Sequence, residues 1–324
     1  MNHEQYNSQE DIPEQAKADS PKPSLGEQHR GTIDGIFLNS RGVRSGWRLL
    51  IFAAIIYVCF QVVSVIWARF ARPGPISPTS MLVQEGIFLI VVLAAAGLMA
   101  IFEKRSLADY FLPWRREAFG SGFWRGVVWG WLALSVLLVA IHLDHGFIFG
   151  HVALAVSKIP IDALLWALAF TLVGLSEEFT FRGYALYTLS AGIGFWPAAI
   201  LLSGAFGAVH LSNPGEDWAG ALAACFIGLF FCFTVRRTGN LWFAIGLHSM
   251  WDYAETFLYS VPNSGLMAKG RLLTSSFHGP RWLTGGRVGP EGSVFVFVVI
   301  GILFLAFHRI YPRAQFPPPP PAGA

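Results

Sequence analysis

The chain has 324 residues, of which 54% are hydrophobic and only 13% charged, and its mean hydropathy is +0.50. Soluble domains carry about 25% charged residues, so this composition excludes a large soluble core and indicates a polytopic membrane protein. The small net charge of +3 and the lack of any Lys/Arg-rich block exclude a nucleic-acid partner. Cys59, Cys225 and Cys232 all fall in apolar runs with no CxxC spacing, which predicts buried, unpaired thiols.

Residues 1–40 are polar, hold Pro13, Pro21 and Pro23, and lack an apolar signal-peptide core, so a disordered cytoplasmic tail is expected. Runs long enough to cross a bilayer, about 20 apolar residues each, follow in order. The first is Trp47 to Trp67 and the second is Met81 to Phe102, with Glu85 near its start, where a carboxylate can snorkel or pair. The connection Leu107 to Phe119 mixes aromatic and charged residues and fits an amphipathic segment at the interface. The third run is Phe123 to Leu143, and with it the N-terminal helices occupy residues 41–160. The fourth, fifth, sixth and seventh runs are Ile161 to Leu189, Phe195 to Leu211, Trp218 to Val235 and Leu241 to Tyr259, a core over 161–260. A Gly/Ser/Pro-containing stretch over 261–290 reads as an exposed loop. The last run falls in 291–312, and a proline-rich tail occupies 313–324. The fold class is therefore all-α, with about eight transmembrane helices. Many Trp residues mark span ends, as interfacial anchors do. The Lys/Arg bias of the short connections places both termini in the cytoplasm.

The fourth run carries Glu177, Glu178 and Arg182. Charges inside a span are costly and persist with a partner and a task. Residues four apart share a helical face, so Glu178 and Arg182 form the expected ion pair, and Glu177 is left for another partner. The fifth run holds Phe206 and His210, and the seventh holds His248 and Asp252, again four apart. Glu177 lies 15 residues before Gly192 and His210 lies 18 after it, so the two sit within about one helical turn of the same depth. His248 lies eight residues after Asn240, about 12 Å below that end. A cavity open to the cytoplasm is expected, with its polar groups at shallow depth.

Such a set suits hydrolysis of an amide by activated water. Glu177 is the candidate general base, a neutral His210 shares the water, and His248 is the candidate donor to a developing oxyanion. Asp252 either holds the His248 ring or contacts substrate. Phe206 reads as packing. Glu177, His210 and His248 also supply three candidate ligands for a divalent metal such as zinc, with an open fourth position. Residue types alone do not separate water held by side chains from water held by metal.

The motifs Glu177-Glu178-x-x-x-Arg182, Phe206-x-x-x-His210 and His248-x-x-x-Asp252, in that order on three spans, resemble the CPBP family. These are the CAAX proteases and bacteriocin-processing enzymes, also called the Abi or type II CAAX prenyl endopeptidase family. The resemblance implies an intramembrane protease in which Glu177 and His210 activate water while His248 and Asp252 form the oxyanion site. It also implies a peptide or lipid-modified protein as substrate, in contact with the lipid bilayer. The third motif ends in Asn or Asp among relatives, and an ionised Asp252 cannot donate a hydrogen bond. The family is described both as metalloproteases and as glutamate-dependent proteases. The alternative within the family is a non-catalytic membrane scaffold or bacteriocin-immunity protein. A proton-relaying transporter is a third class, and its inverted repeat is not visible in the sequence.

Overall fold

The computed structural model describes residues 35–39, 42–70 and 76–316. Most of the N-terminal tail, the prolines Pro73 and Pro75 of the first loop and the terminal proline run lie outside the described residues. The chain up to Arg44 is a unit of its own. Its described part contains a short antiparallel pair, β1 (Leu38–Asn39) with β2 (Gly42–Val43).

The unit from Ser45 onward is built of helices. It contains α1 (Ser45–Phe70), α2 (Pro78–Glu103) and α3 (Arg116–Leu143). Then comes α4 (Ile159–Glu178), which runs through a π-helical turn, Phe179–Ala185, into α5 (Leu186–Ile193). Gly194, at a positive φ of 85°, reverses the chain into α6 (Phe195–His210). Next are α7 (Trp218–Thr238) and α8 (Trp242–Tyr253), the latter prolonged by a second π-helical turn, Ala254–Leu258. A short α9 (Arg281–Thr284) precedes α10 (Val294–Ile310).

The helix starts follow local rules. Ser77 and Ser80 cap α2 reciprocally with Pro78 in its first turn, and the Asp217 carboxylate accepts from the Ala219 and Gly220 amides at the start of α7.

Among the described residues, five helical stretches are long and apolar enough to cross a bilayer: Ser45–Arg69, Pro78–Glu103, Arg116–Leu143, Val156–Ile193 and Trp218–Thr238. The protein is thus an integral membrane protein of helical fold. The other three expected runs also fold as helix. Phe195–His210, Val294–Ile310 and α8 with its π turn are each shorter than the roughly 20 residues of a straight crossing.

The unit has two distinct ends. At one, the Leu241 amide donates to the Phe111 carbonyl, Trp242 Nε1 donates to the Pro113 carbonyl, and the Gln315 and Phe316 amides donate to the Arg236 carbonyl. This end carries Lys104, Arg105, Arg115, Arg116, Arg236, Arg237 and Arg313, and is called the basic end below. At the other, β3 (Phe147–Ile148) pairs with β4 (Ser276–Phe277), the Lys269 amide donates to the Ile76 carbonyl, and Asn213 Nδ2 donates to the Ser264 carbonyl.

Three expectations are corrected here. The stretch 261–290 is not an exposed loop; it folds back onto the other connections, and Leu283 and Val288 are buried. The connection after α2 is not an amphipathic segment but a short 3-10 turn, Leu107–Tyr110, followed by buried Phe111 and Leu112, and α3 begins already at Arg116. Of the three thiols only Cys232 is buried, while Cys59 is exposed on α1 and Cys225 half-buried. Besides any at span ends, Trp166, Trp242 and Trp251 are buried and donate their indole N–H to the Gly270 carbonyl, the Pro113 carbonyl and Glu291.

Residues Leu241 to Ser249, the first two turns of α8 and the residue before it, are all buried. The backbone of α3 approaches them directly. A side chain at Gly126 would run into the Phe243 carbonyl, and one at Gly130 into the Leu247 carbonyl, the small-residue contact by which helices approach closely in membranes. This contact fixes the height and rotation of α8, and with them the position of His248.

Candidate active site

Glu178 and Arg182 meet as the i,i+4 spacing predicts. Arg182 Nη1 lies 3.1 Å from Glu178 Oε1, and both side chains are fully buried. The guanidinium also lies 4.1 Å from the centre of the Phe206 ring and 5.5 Å from that of Phe231, so ring faces take up part of its charge. Phe206 is therefore more than packing. It separates this buried cation from the His210 ring, which stands edge-on to it at 4.6 Å.

His248 reaches all three neighbouring carboxylates. Its Nδ1 lies 2.9 Å from Glu178 Oε1, and its Nε2 lies 3.5 Å from Asp252 Oδ2 and 3.8 Å from Glu177 Oε2. A carboxylate paired with a guanidinium only accepts, so Nδ1 carries a proton and donates to Glu178. That leaves Nε2 as the nitrogen turned towards Glu177 and Asp252. Phe231 stacks on the imidazole at 5.4 Å. The same reasoning assigns His210. Its Nδ1 lies 2.8 Å from the Phe206 carbonyl, which can only accept, so the neutral ring keeps a lone pair on Nε2.

Glu177, His210, His248, Asp252 and Phe206 all line one cavity of about 260 Å³. Glu178 and Arg182 lie behind its wall. Glu178 is thus not only a partner for Arg182, as the spacing suggested; it also orients His248. Among the described residues, Glu178 Oε2 and Arg182 Nε and Nη2 are buried with no hydrogen-bond partner.

The cavity wall is completed by Ile76, Asn213, Ser264 and Leu266, and none of its described lining residues comes from the basic end. The expected opening beside the basic turns is therefore corrected. Counting residues from Asn240 gave the distance of His248 from that end, but α8 continues beyond it. Asp252 and Thr256 carry the cavity on towards the opposite connections.

Three lining groups were not singled out from the sequence for a role in the site. Glu85 Oε2 accepts from Ser176 Oγ at 3.3 Å. Glu291 accepts from Trp251 Nε1 at 3.2 Å and from the Ser264 amide and hydroxyl at 2.9 and 2.7 Å. Asn263 Nδ2 donates to Thr256 Oγ1 at 3.2 Å. Glu85 was visible as a carboxylate in an apolar run, whereas nothing in the sequence distinguished Glu291. In the loop before α7, burial pushes the Glu216 carboxyl up to about 7, with the neighbouring Glu291 and Asp217 charges adding to the effect.

The metal reading does not fit this arrangement. Among the described residues no three His, Cys, Asp or Glu side chains converge as metal ligands do.

Residues 158–254 match the family of type II CAAX prenyl endopeptidase Rce1-like proteins. No curated protein and no solved structure matches the chain. The matched segment starts just before α4, ends just after α8 and contains all three motifs whose side chains meet around the cavity. On that agreement, residues 158–254 are similar to the type II CAAX prenyl endopeptidases, and the match supports the CPBP family of CAAX-type membrane proteases.

Proposed function

We propose that the chain is an intramembrane endopeptidase that hydrolyses a peptide bond with water activated by Glu177 and His210. The observation that carries this reading is the cavity itself, into which Glu177, His210, His248 and Asp252 converge from three helices. Water attacks the scissile carbonyl carbon as the Glu177 carboxylate takes its proton. His210, with Nδ1 held by the Phe206 carbonyl, offers Nε2 to the same water. In its imidazolium form His248 donates from Nε2 to the oxyanion, while Glu178 on Nδ1 keeps the ring from turning. Preorganised donors of this kind typically contribute 10²–10³-fold to turnover. Asp252 flanks His248 Nε2 as a charge partner, which supports a positioning role over direct donation.

The substrate class is a lipid-modified CAAX-type protein or a leader peptide. All eight runs cross the bilayer in this reading, and the basic end with both termini faces the cytoplasm. A peptide then reaches the cavity from the bilayer or from the opposite aqueous face. The test is hydrolysis of a quenched fluorescent farnesylated CAAX peptide, and of an unlipidated leader-type peptide, by the purified chain in proteoliposomes. Glu177→Gln should reduce turnover by at least about 10²–10⁴ while inserting normally. Full activity in that variant contradicts the mechanism.

A further inference from the structure

Amide hydrolysis needs two proton transfers. A base takes a proton from water, and the amine leaves only when its nitrogen gains one. Glu177 and His210 account for the first transfer. We propose that Glu85 accounts for the second, as the catalytic acid that protonates the leaving amine; the proposal rests on the peptidase reading above.

Glu85 stands in the third turn of α2, within an otherwise apolar stretch, and lines the same cavity as Glu177. Its Oε2 accepts from the hydroxyl of Ser176, a buried residue immediately before Glu177, which shares that hydrogen with the Val173 carbonyl. Among the described residues no Lys or Arg forms an ion pair with it, in contrast to Glu103 at the far end of the same helix. A carboxyl group kept in a membrane helix without a cation is expensive, and such groups mark functional positions. Here the cavity supplies the task. Glu177 approaches the site from α4 beside His248, and Glu85 approaches from α2, so the two carboxyl groups enter from different helices. The other titratable groups on the cavity wall are His210, His248, Asp252 and Glu291.

The step balances. The water oxygen bonds to the carbonyl carbon, and its proton passes to Glu177. The C–N bond breaks as the amine nitrogen takes the proton held by Glu85. Cavity water then returns the Glu177 proton to Glu85, leaving one carboxylic acid and one amine per water consumed.

The experiment compares two substrates with the same acyl sequence, a peptide amide and a p-nitrophenyl ester. The ester's leaving group departs without protonation. Glu85→Gln should lower kcat/KM for the amide by about 10²–10⁴ but that for the ester by less than about tenfold. Glu85→Asp, which keeps an acid, should recover most of the amide activity. Glu177→Gln should lower both substrates together. Equal losses on amide and ester in Glu85→Gln, no loss on either, or no recovery in Glu85→Asp would overturn the assignment. Wild-type protein that cleaves neither substrate, or a Glu177→Gln variant that cleaves both normally, would instead overturn the peptidase reading beneath it.

Discussion

Two buried carboxylates, Glu103 and Glu178, sit in similar company and do different things. At the basic end Glu103 takes hydrogen bonds from Tyr184 at 2.6 Å and Tyr110 at 3.3 Å, and pairs with Arg48 at 3.1 Å and Arg105 at 3.9 Å. Both of its oxygens are engaged, and the cluster ties α1, α2 and the π turn after α4 together. Burial and the Glu103 charge push the Tyr110 hydroxyl above its usual range, so it stays a donor at any working pH. Glu178 also holds an arginine, but one of its oxygens and two of the Arg182 nitrogens lack partners, and its remaining contact is His248 beside the cavity. The difference lies in the carboxylate itself: both Glu103 oxygens have partners, whereas Glu178 Oε2 has none among the described residues. A carboxylate with both oxygens engaged fastens helices, whereas one with an unpartnered oxygen beside a cavity can hold a catalytic ring in place.

Breaking each centre should show that contrast. Arg182→Ala removes the guanidinium paired with the fully buried Glu178 carboxylate. Unfolding in detergent should show a loss of about 3–5 kcal/mol, with turnover lost as well because Glu178 no longer fixes His248. Glu103→Gln leaves a neutral acceptor for Tyr184 but uncouples Arg48. A loss of about 1–3 kcal/mol is expected, with kcat per folded molecule unchanged. Gly126→Ala forces α3 away from α8 and should cost about 1–3 kcal/mol. Because it displaces the helix carrying His248, it should also lower kcat, which Glu103→Gln does not.

The smallest effect concerns Glu216 in the loop before α7. Its carboxyl titrates near 7 in the folded chain against an ordinary value of 4.5, so the folded state binds more protons between those values. Its contribution to stability is full below pH 4.5 and is lost as pH rises through 7. A pH series of unfolding midpoints should show this slope flattened in Glu216→Gln.

Much of the site was legible because charge inside apolar runs is conspicuous. The i,i+4 spacing gave Glu178–Arg182, and the near-equal distances of Glu177 and His210 from the α5–α6 turn gave their common depth. Spacing says nothing about how one helix is rotated against another, however. That is why the bond from His248 to Glu178 was invisible, and why Glu85, a lone carboxylate near a helix start, passed as an interfacial residue. The same limit hid the fold of 261–290. Its Gly, Ser and Pro content signals turns, but its packing depends on Asn213, Ile76 and Val152 in distant connections. The eight helical runs were legible from hydropathy. The break of α8 at Tyr253 into a π turn was not, because apolar residues continue past it.

The account turns on Glu177 acting on water rather than holding helices together, as Glu103 does. The most direct measurement places Glu177→Gln and Glu103→Gln side by side, recording peptide hydrolysis and the unfolding midpoint of each purified protein. Glu177→Gln should keep the wild-type midpoint and lose hydrolysis, and Glu103→Gln should lose midpoint and keep hydrolysis. Hydrolysis surviving in Glu177→Gln at wild-type rate would contradict the account.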